Sequence, residues 1–136
     1  MDDLLKTGKI AAAGMKAQAT RLRVVSENMA NADSVAKTPG GEPYRRKIIT
    51  FKNTLDRALD ANVVRVDRVS ADRTEFGRRH EPNHPAADAD GYVLLPNVNP
   101  LVEMMDMREA QRTYEANLGV VNVTKDMVKR TVELLR

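Results

Sequence analysis

The chain has 136 residues, enough for one domain with a modest core, and contains no cysteine, which excludes a disulfide framework, a thiol nucleophile and a thiolate metal site. The net charge of +3 and pI near 9.3 permit an acidic partner, but 30% of residues are charged with both signs interspersed, which describes a solvated surface better than a nucleic-acid binder. No apolar run approaches the roughly 20 residues of a membrane span, and Met1-Asp2-Asp3 lacks the basic start and long apolar core of a cleavable signal, so any export is expected to use another route.

From Leu4, apolar or small residues return at alternating steps of four and three: Leu4, Gly8, Ala11, Met15, Gln18, Leu22, Val25, Met29, Ala32. This period predicts a long amphipathic helix with a coiled-coil seam. The seam is rich in small residues, which lets another helix approach closely. Leu5, Ile10, Ala13, Ala17 and Val24 lie off it, so the helix is apolar on more than one face.

After Ala32 two prolines and paired glycines, Pro39-Gly40-Gly41-Glu42-Pro43, predict a loop. Tyr44 to Phe51 is rich in β-branched and aromatic residues and reads as a strand, as does Asn62 to Ser70, where Val64 and Val66 alternate with Arg65 and Asp67. Between them Phe51, Leu55 and Leu59 fall four apart, so Lys52 to Ala61 is expected to form a short helix. Ala71 to Asp90, polar, charged and proline-bearing, is expected to be a loop, with a short strand at Gly91 to Leu95.

Pro100 to Arg136 carries the strongest pattern. Its seam runs Met104, Met107, Gln111, Tyr114, Leu118, Val121, Lys125, Val128, Val132, Leu135, and the long aliphatic stems of Gln111 and Lys125 can lie along an apolar line. Asn99 suits the N-cap and Pro100 the first helical position. A second apolar line, Ala116, Val120, Val123, Met127 and Leu134, runs along another face. At about 1.5 Å per residue such a helix is roughly 55 Å long, longer than the 35 to 40 Å or so of a compact globule of this size. One seam can close an intramolecular hairpin; the other is expected to pack between molecules, because the chain offers no third long helix to cover it.

Candidate chemistry is sparse. His80-Glu81-Pro82-Asn83-His84 has the letters of a zinc-protease helix, but Pro82 and Pro85 oppose the helix that would bring both imidazoles to one metal. Asp88-Ala89-Asp90-Gly91 resembles part of a calcium loop, yet the EF-hand register places Ala86 first and Asn97 twelfth, so a turn is expected. Asn122-Val123-Thr124 has the form of a glycosylation sequon but falls inside the predicted C-terminal helix. No catalytic set, cofactor site or metal site is assigned. From Arg45 to Arg79 ten basic residues stand against Asp56, Asp60, Asp67, Asp72 and Glu75, an excess of five that could meet an acidic partner; no base-reading motif accompanies it.

Several ordered motifs then resemble a known family. Ser26-Glu27-Asn28-Met29-Ala30-Asn31-Ala32-Asp33-Ser34, after Met15-Lys16-Ala17-Gln18 and Arg21-Leu22, is similar to the N-terminal signature of the flagellar axial proteins, the rod and hook subunits. Pro43-Tyr44-Arg45-Arg46-Lys47, Glu81-Pro82-Asn83-His84-Pro85, Ala87 to Val93, Pro96-Asn97-Val98-Asn99, Glu103-Met104 and Arg112 to Asn117 resemble the proximal-rod branch of that family. The segment from Phe51 to Phe76 matches no family motif, and the chain ends at Leu134-Leu135-Arg136 with no tail beyond the helix.

The resemblance implies a structural, non-enzymatic subunit exported by the flagellar type III apparatus without a cleaved signal and polymerised helically into the periplasmic rod of the basal body, where it transmits torque. The implied partners are copies of itself, other rod subunits, adjoining basal-body components and the export apparatus, with no nucleic acid and no membrane span. The expected architecture is α+β: an N-terminal axial helix within residues 1–34, a small β-rich segment within 35–99 and a C-terminal axial helix within 100–136, the helices paired as an antiparallel coiled-coil hairpin. Subunit packing is expected at Leu4, Met15, Leu22, Val25, Met29, Met104, Met107, Tyr114, Leu118, Val121, Val128, Val132 and Leu135. The family motif adds Ser26, Asn28, Ala30, Asn31 and Asn117 as packing and capping residues. The competing class is a soluble coiled-coil adaptor that binds an acidic partner through the basic middle segment, followed by a metal hydrolase.

Overall fold

A computed structural model describes all residues from Met1 to Arg136. The elements are α1 (Asp2–Ala30), β1 (Lys47–Asp56), β2 (Ala61–Ala71), β3 (Gly77–His80), β4 (Tyr92–Leu95) and α2 (Pro100–Leu134). The fold is α+β, two long helices packed against each other with small two-stranded β units between them in sequence. Two compact units share the chain. One comprises Met1–Leu22, Ile49–Arg68 and Arg108–Arg136, the other Arg23–Ile48 and Val69–Met107.

In the first unit α1 and α2 run antiparallel: Arg21 Nη2 reaches Glu109 Oε2 at 3.4 Å, Gly14 faces Asn117 and Gly8 faces Thr124. Most of the β1–β2 hairpin, residues Ile49–Arg68, belongs to the same unit. Its turn, Arg57–Asp60, is set by Asp56, whose Oδ1 accepts the backbone N–H groups of Ala58 and Leu59 at 3.0 and 3.3 Å, and by Asp60 at φ 47°, a left-handed conformation that a short polar side chain tolerates. Arg65–Asp56 and Lys52–Asp67 ion pairs tie the two strands. Lys6 Nζ donates to the Asp60 carbonyl at 3.4 Å, and Val63 is buried at 2% exposure.

The helix expected over Lys52 to Ala61 does not form; β1 continues to Asp56 and the chain reverses. Residues four apart share a face in a strand as well as in a helix, so Phe51 and Leu55 fit either period, and the Asp56 turn decides between them. The strand expected from Tyr44 begins at Lys47 instead; ahead of it the Tyr44 N–H donates to the Ser34 carbonyl and the Arg46 N–H to Asn97 Oδ1. Asn62 to Ser70 lies inside β2 as expected.

In the second unit β3 pairs antiparallel with β4 in the register Gly77↔Leu95, Arg78↔Leu94, Arg79↔Val93 and His80↔Tyr92. The expected loop over Ala71 to Asp90 therefore contains a strand. Its four residues are all exposed and carry no apolar alternation, so only the partner strand marks them. Val93, at 1% exposure, anchors the pair. The connection turns at Asp88, whose Oδ1 accepts the N–H groups of Asp90 and Tyr92 at 2.9 Å each, with Gly91 at φ 82°. The two histidines of the zinc-like motif are split: His80 in β3 lies edge-on to Tyr92, with ring centroids 5.0 Å apart, and His84 in the turn accepts the Ala86 N–H on Nδ1.

Both helices end on asparagine chemistry. Asn99 caps α2, its Oδ1 accepting the Leu101 N–H at 3.1 Å with Pro100 as first helical residue. Asn31 closes α1, returning its side-chain amide to the Glu27 carbonyl at 2.8 Å and accepting from Ser34 Oγ at 3.1 Å.

The buried apolar core is small: Ala11, Ala17, Val24, Val25, Val63, Ala86, Val93 and Ala110. The accessible surface is 9538 Å², against about 7,100 Å² for a compact monomer of this mass. Small residues set the close approach of the helices, which gives a direct test. A Cβ at Gly8 would meet Thr124 Cγ2 at an ordinary 3.4 Å, whereas one at Gly14 would sit 2.9 Å from Asn117 Nδ2. Gly8→Ala is therefore expected to stabilise by about 0.5–1 kcal/mol through helix propensity, and Gly14→Ala to gain nothing because Asn117 must shift. Thermal unfolding of both variants reads this, and the reverse order of melting temperatures would refute it.

Candidate functional site

A polar clasp lies where the strand leading into β1 passes between the C-terminal turn of α1 and the first turn of α2, all within the second unit. Asn28, 1% exposed, treats the backbone of Lys47 as a neighbouring strand would. Its Oδ1 accepts the Lys47 N–H at 2.9 Å while its Nδ2 donates to the Lys47 carbonyl at 2.8 Å. The same Oδ1 accepts the Tyr44 hydroxyl at 2.8 Å, and Nδ2 also faces Glu103 Oε2 at 3.4 Å. Glu103 is fully buried and pairs with Arg46 through Nε. Arg46 also bonds Asp72 Oδ2 at 3.3 Å, and its backbone N–H donates to Asn97 Oδ1 at 2.7 Å. Asn97 in turn donates to the carbonyls of Asp72 and Thr74 at 3.0 and 3.3 Å. Arg45 lies over the Phe76 ring, 4.2 Å from its centroid.

A buried carboxylate is tolerable only with its charge matched and its lone pairs engaged. Burial works against the charge of Arg46, but the hydrogen bonds and Coulombic attraction of Glu103 and Asp72 outweigh it and hold the guanidinium above its usual pKa. The Thr74 backbone N–H, opposed by partial burial and aided by the Thr74 hydroxyl and Arg46, holds Asp72 below its usual range. At the rim, the hydrogen bond with Lys47 lowers Glu27 and raises Lys47 in return. Burial first, then the net effect of its charged neighbours, pushes Tyr44 up.

The signs set a pH window. Glu27 and Asp72, depressed from 4.5 and 3.8, add stability that is present above those values and lost as pH falls through their folded pKa values. Tyr44 and Lys47, raised from 10.0 and 10.5, add stability that is present below those values and lost as pH rises through their folded ones. The urea midpoint is expected to be flat from about pH 5 to 9 and to fall on both sides, with Lys47→Met flattening part of the acid limb. An acid limb identical in Lys47→Met and the parent would contradict the Glu27 assignment.

The second feature is the apolar surface of α2. Along α1, Val25 is buried and Leu4, Met15, Leu22 and Met29 are half-buried. Along α2 only every second position of the sequence-derived seam faces inward: Met107, Tyr114, Val121 and Val128 are half-buried, whereas Met104, Leu118, Val132 and Leu135 are 41%, 39%, 48% and 79% exposed. The line that meets α1 is Glu103, Met107, Ala110, Tyr114, Asn117, Val121, Thr124, Val128, Thr131. It shares half its members with the expected seam and replaces the other half by polar or small residues one position earlier. The close approach at Gly8 and Gly14 explains the choice, since Thr124 and Asn117 are the side chains that meet those glycines, and the longer Lys125 and Leu118 lie one position further round the helix. Of the motif residues, Asn28 and Asn31 hold the bonds described above, Asn117 packs against Gly14, and Ser26 and Ala30 are exposed.

Val102, Met105, Val120, Val123, Met127 and Leu134 are 48%, 64%, 42%, 58%, 48% and 87% exposed. With Ala116 they fall in a strip about 60° wide at 100° per residue. No element of the chain covers this strip. The basic cluster, by contrast, is partly used internally: Arg46, Lys47, Lys52, Arg65 and Arg79 each pair with a carboxylate and Arg45 stacks on Phe76, which leaves Arg57, Arg68, Arg73 and Arg78 outside these contacts and does not favour an acid-binding adaptor site. No helix is long and apolar enough to cross a membrane.

Two long helices joined by small β units, with a mixed polar and apolar inner seam and an exposed apolar strip, define a helical-hairpin protein. Residues 89–134 match the family described as flagellar basal body rod FlgEFG protein C-terminal. Over its full length the chain is 50% identical to the flagellar basal-body rod protein FlgC of Agrobacterium fabrum, covering 98% of that protein. It is 37% identical to FlgC of Bacillus subtilis, over 92% of this chain and 93% of the relative, and 39% identical to FlgC of Salmonella typhimurium, over 96% and 97%. The chain belongs to the FlgC family of flagellar basal-body rod proteins.

Proposed function

We infer that this chain is a structural subunit of the flagellar rod that polymerises helically through its terminal helices and passes motor torque along the resulting shaft. The observation that carries the reading is the exposed apolar strip of α2, six large side chains on one face interrupted only by Glu109, more than a chain that works alone leaves in water. Contacts that use different patches on the two partners extend a structure instead of closing it, as a shaft requires. The role is mechanical, and no catalytic step belongs to it. Copies of this chain, other rod subunits and adjoining basal-body components are its partners in the periplasmic rod, and the flagellar type III apparatus delivers it there without a cleaved signal. Leu4, Met15, Leu22, Val25, Met29, Met107, Tyr114, Val121 and Val128 support the hairpin in this reading, and Met104, Leu118, Val132 and Leu135 join the strip residues as intersubunit contacts.

The test is to tag the chain, express it in a motile strain lacking its own FlgC, and isolate basal bodies. Restored swimming and recovery of uncleaved chain in the rod fraction are expected. Chain found only in the cytosol of cells that swim without it would overturn the reading.

A further inference from the structure

On the flank of the helix pair opposite the α2 strip, within the first unit, Leu5 and Ala12 of α1 and Val121 and Val128 of α2 line an open groove of about 420 Å³. Its walls are almost wholly apolar, and Lys9, Lys125 and Lys129 stand around it. None of these three lysines has an ion-pair or hydrogen-bond partner, unlike Lys6, Lys47 and Lys52, which are all engaged. An apolar furrow between two helices is the shape that accepts a third helix by its apolar face, and three unpaired ammonium groups beside it select for carboxylates on that helix's flanks.

A second copy of this chain does not meet that demand. The exposed strip of α2 carries Arg112 and Arg130 along one edge, at about 50° from its centre at 100° per residue, and its one central acid, Glu109, is already paired with Arg21, so seating it in the groove would set arginines against lysines. The exposed charges of α1 beyond its first turn are mainly basic: Lys9, Lys16 and Arg23. We propose that this groove docks an acidic amphipathic helix of a different protein, and that the helix pair therefore offers two distinct surfaces, an apolar strip for assembly and a lysine-rimmed furrow for this partner. The proposal does not rest on the assembly reading, because no residue of the strip lines the groove.

The test uses the purified full-length chain and a fluorescein-labelled synthetic 18-residue helix with leucines on one face and glutamates on both flanks, beside the same peptide with lysines for glutamates. Fluorescence anisotropy is expected to show binding of the glutamate peptide only, weakening with added salt. The triple variant Lys9→Glu, Lys125→Glu, Lys129→Glu is expected to bind it on the order of tenfold or more weakly, with unchanged circular dichroism. Ala12→Phe, at an exposed position that leaves every lysine in place, is expected to block the groove and abolish binding. Equal binding of the lysine peptide, full binding by both variants, or no binding of the glutamate peptide would each overturn the proposal. So would self-association of the chain alone that Ala12→Phe abolishes, which assigns the groove to a second copy, or binding of phosphatidylglycerol vesicles with no binding of the peptide, which assigns it to an anionic membrane surface.

Discussion

Replacing both Val123 and Met127 by aspartate is expected to abolish swimming in a strain that depends on this chain, while the purified monomer keeps its helical content and melts within a few degrees of the parent. The two side chains are 58% and 48% exposed, so substitution costs the isolated chain little, typically within about 0.5 kcal/mol at such sites. In the proposed assembly the same positions would face an apolar partner. Burying a carboxylate there without a counter-ion costs several kcal/mol at every repeated contact, and a polymer multiplies that loss along its length. Glu115→Lys, on the charged face of the same helix, is the control expected to swim normally. A double variant that swims and appears in isolated basal bodies would remove the strip from the assembly surface.

Glu103→Ala should be the most damaging single substitution for the fold of the second unit. It removes a carboxylate with no exposed surface and strands Arg46, whose side chain is only 24% exposed, together with one hydrogen-bond contact of Asn28 Nδ2. Orphaning one partner of a buried pair typically costs 3–5 kcal/mol, and about 3 kcal/mol is expected here because Arg46 keeps Asp72 and part of its hydration. Urea unfolding gives the number. Glu103→Gln, which keeps the acceptor and loses the charge, should lose roughly half as much. The pair Glu103→Leu with Arg46→Met should recover much of the loss, since neither charge is then left alone. A loss under about 1 kcal/mol in Glu103→Ala would mean that the clasp does not hold the unit together.

The helices were legible in the sequence because the three-and-four period repeats over many turns and Asn99-Pro100 marks the start of α2 on two independent grounds. Which line faces inward was not. Two seams that share Met107, Tyr114, Val121 and Val128 are equally periodic, and hydrophobicity favours the one with Met104 and Leu118. Sterics at Gly8 and Gly14 select the other, and that information lies in the partner helix. The clasp was half legible: the resemblance quoted Asn28, Tyr44, Arg46, Asn97 and Glu103 within its motifs, but it gave a packing and capping role to Asn28 alone, and Arg46 also counted as one of a basic run. A sign was present in Glu103's spacing from Met107, Ala110 and Tyr114, which places a carboxylate on the inner line. β3 offered no sign, since four exposed residues acquire strand geometry only from β4.

The mostly small-residue core and large residual surface have a thermodynamic corollary. In the proposed assembly, a chain that buries little more than alanines and valines within itself would draw much of its free energy of folding from what it later touches, so its stability would follow mass action. The midpoint of unfolding becomes a function of protein concentration, and the free subunit sits near the foot of that curve. Such a chain is easily unravelled as a single copy and hard to unravel once its neighbours are in place.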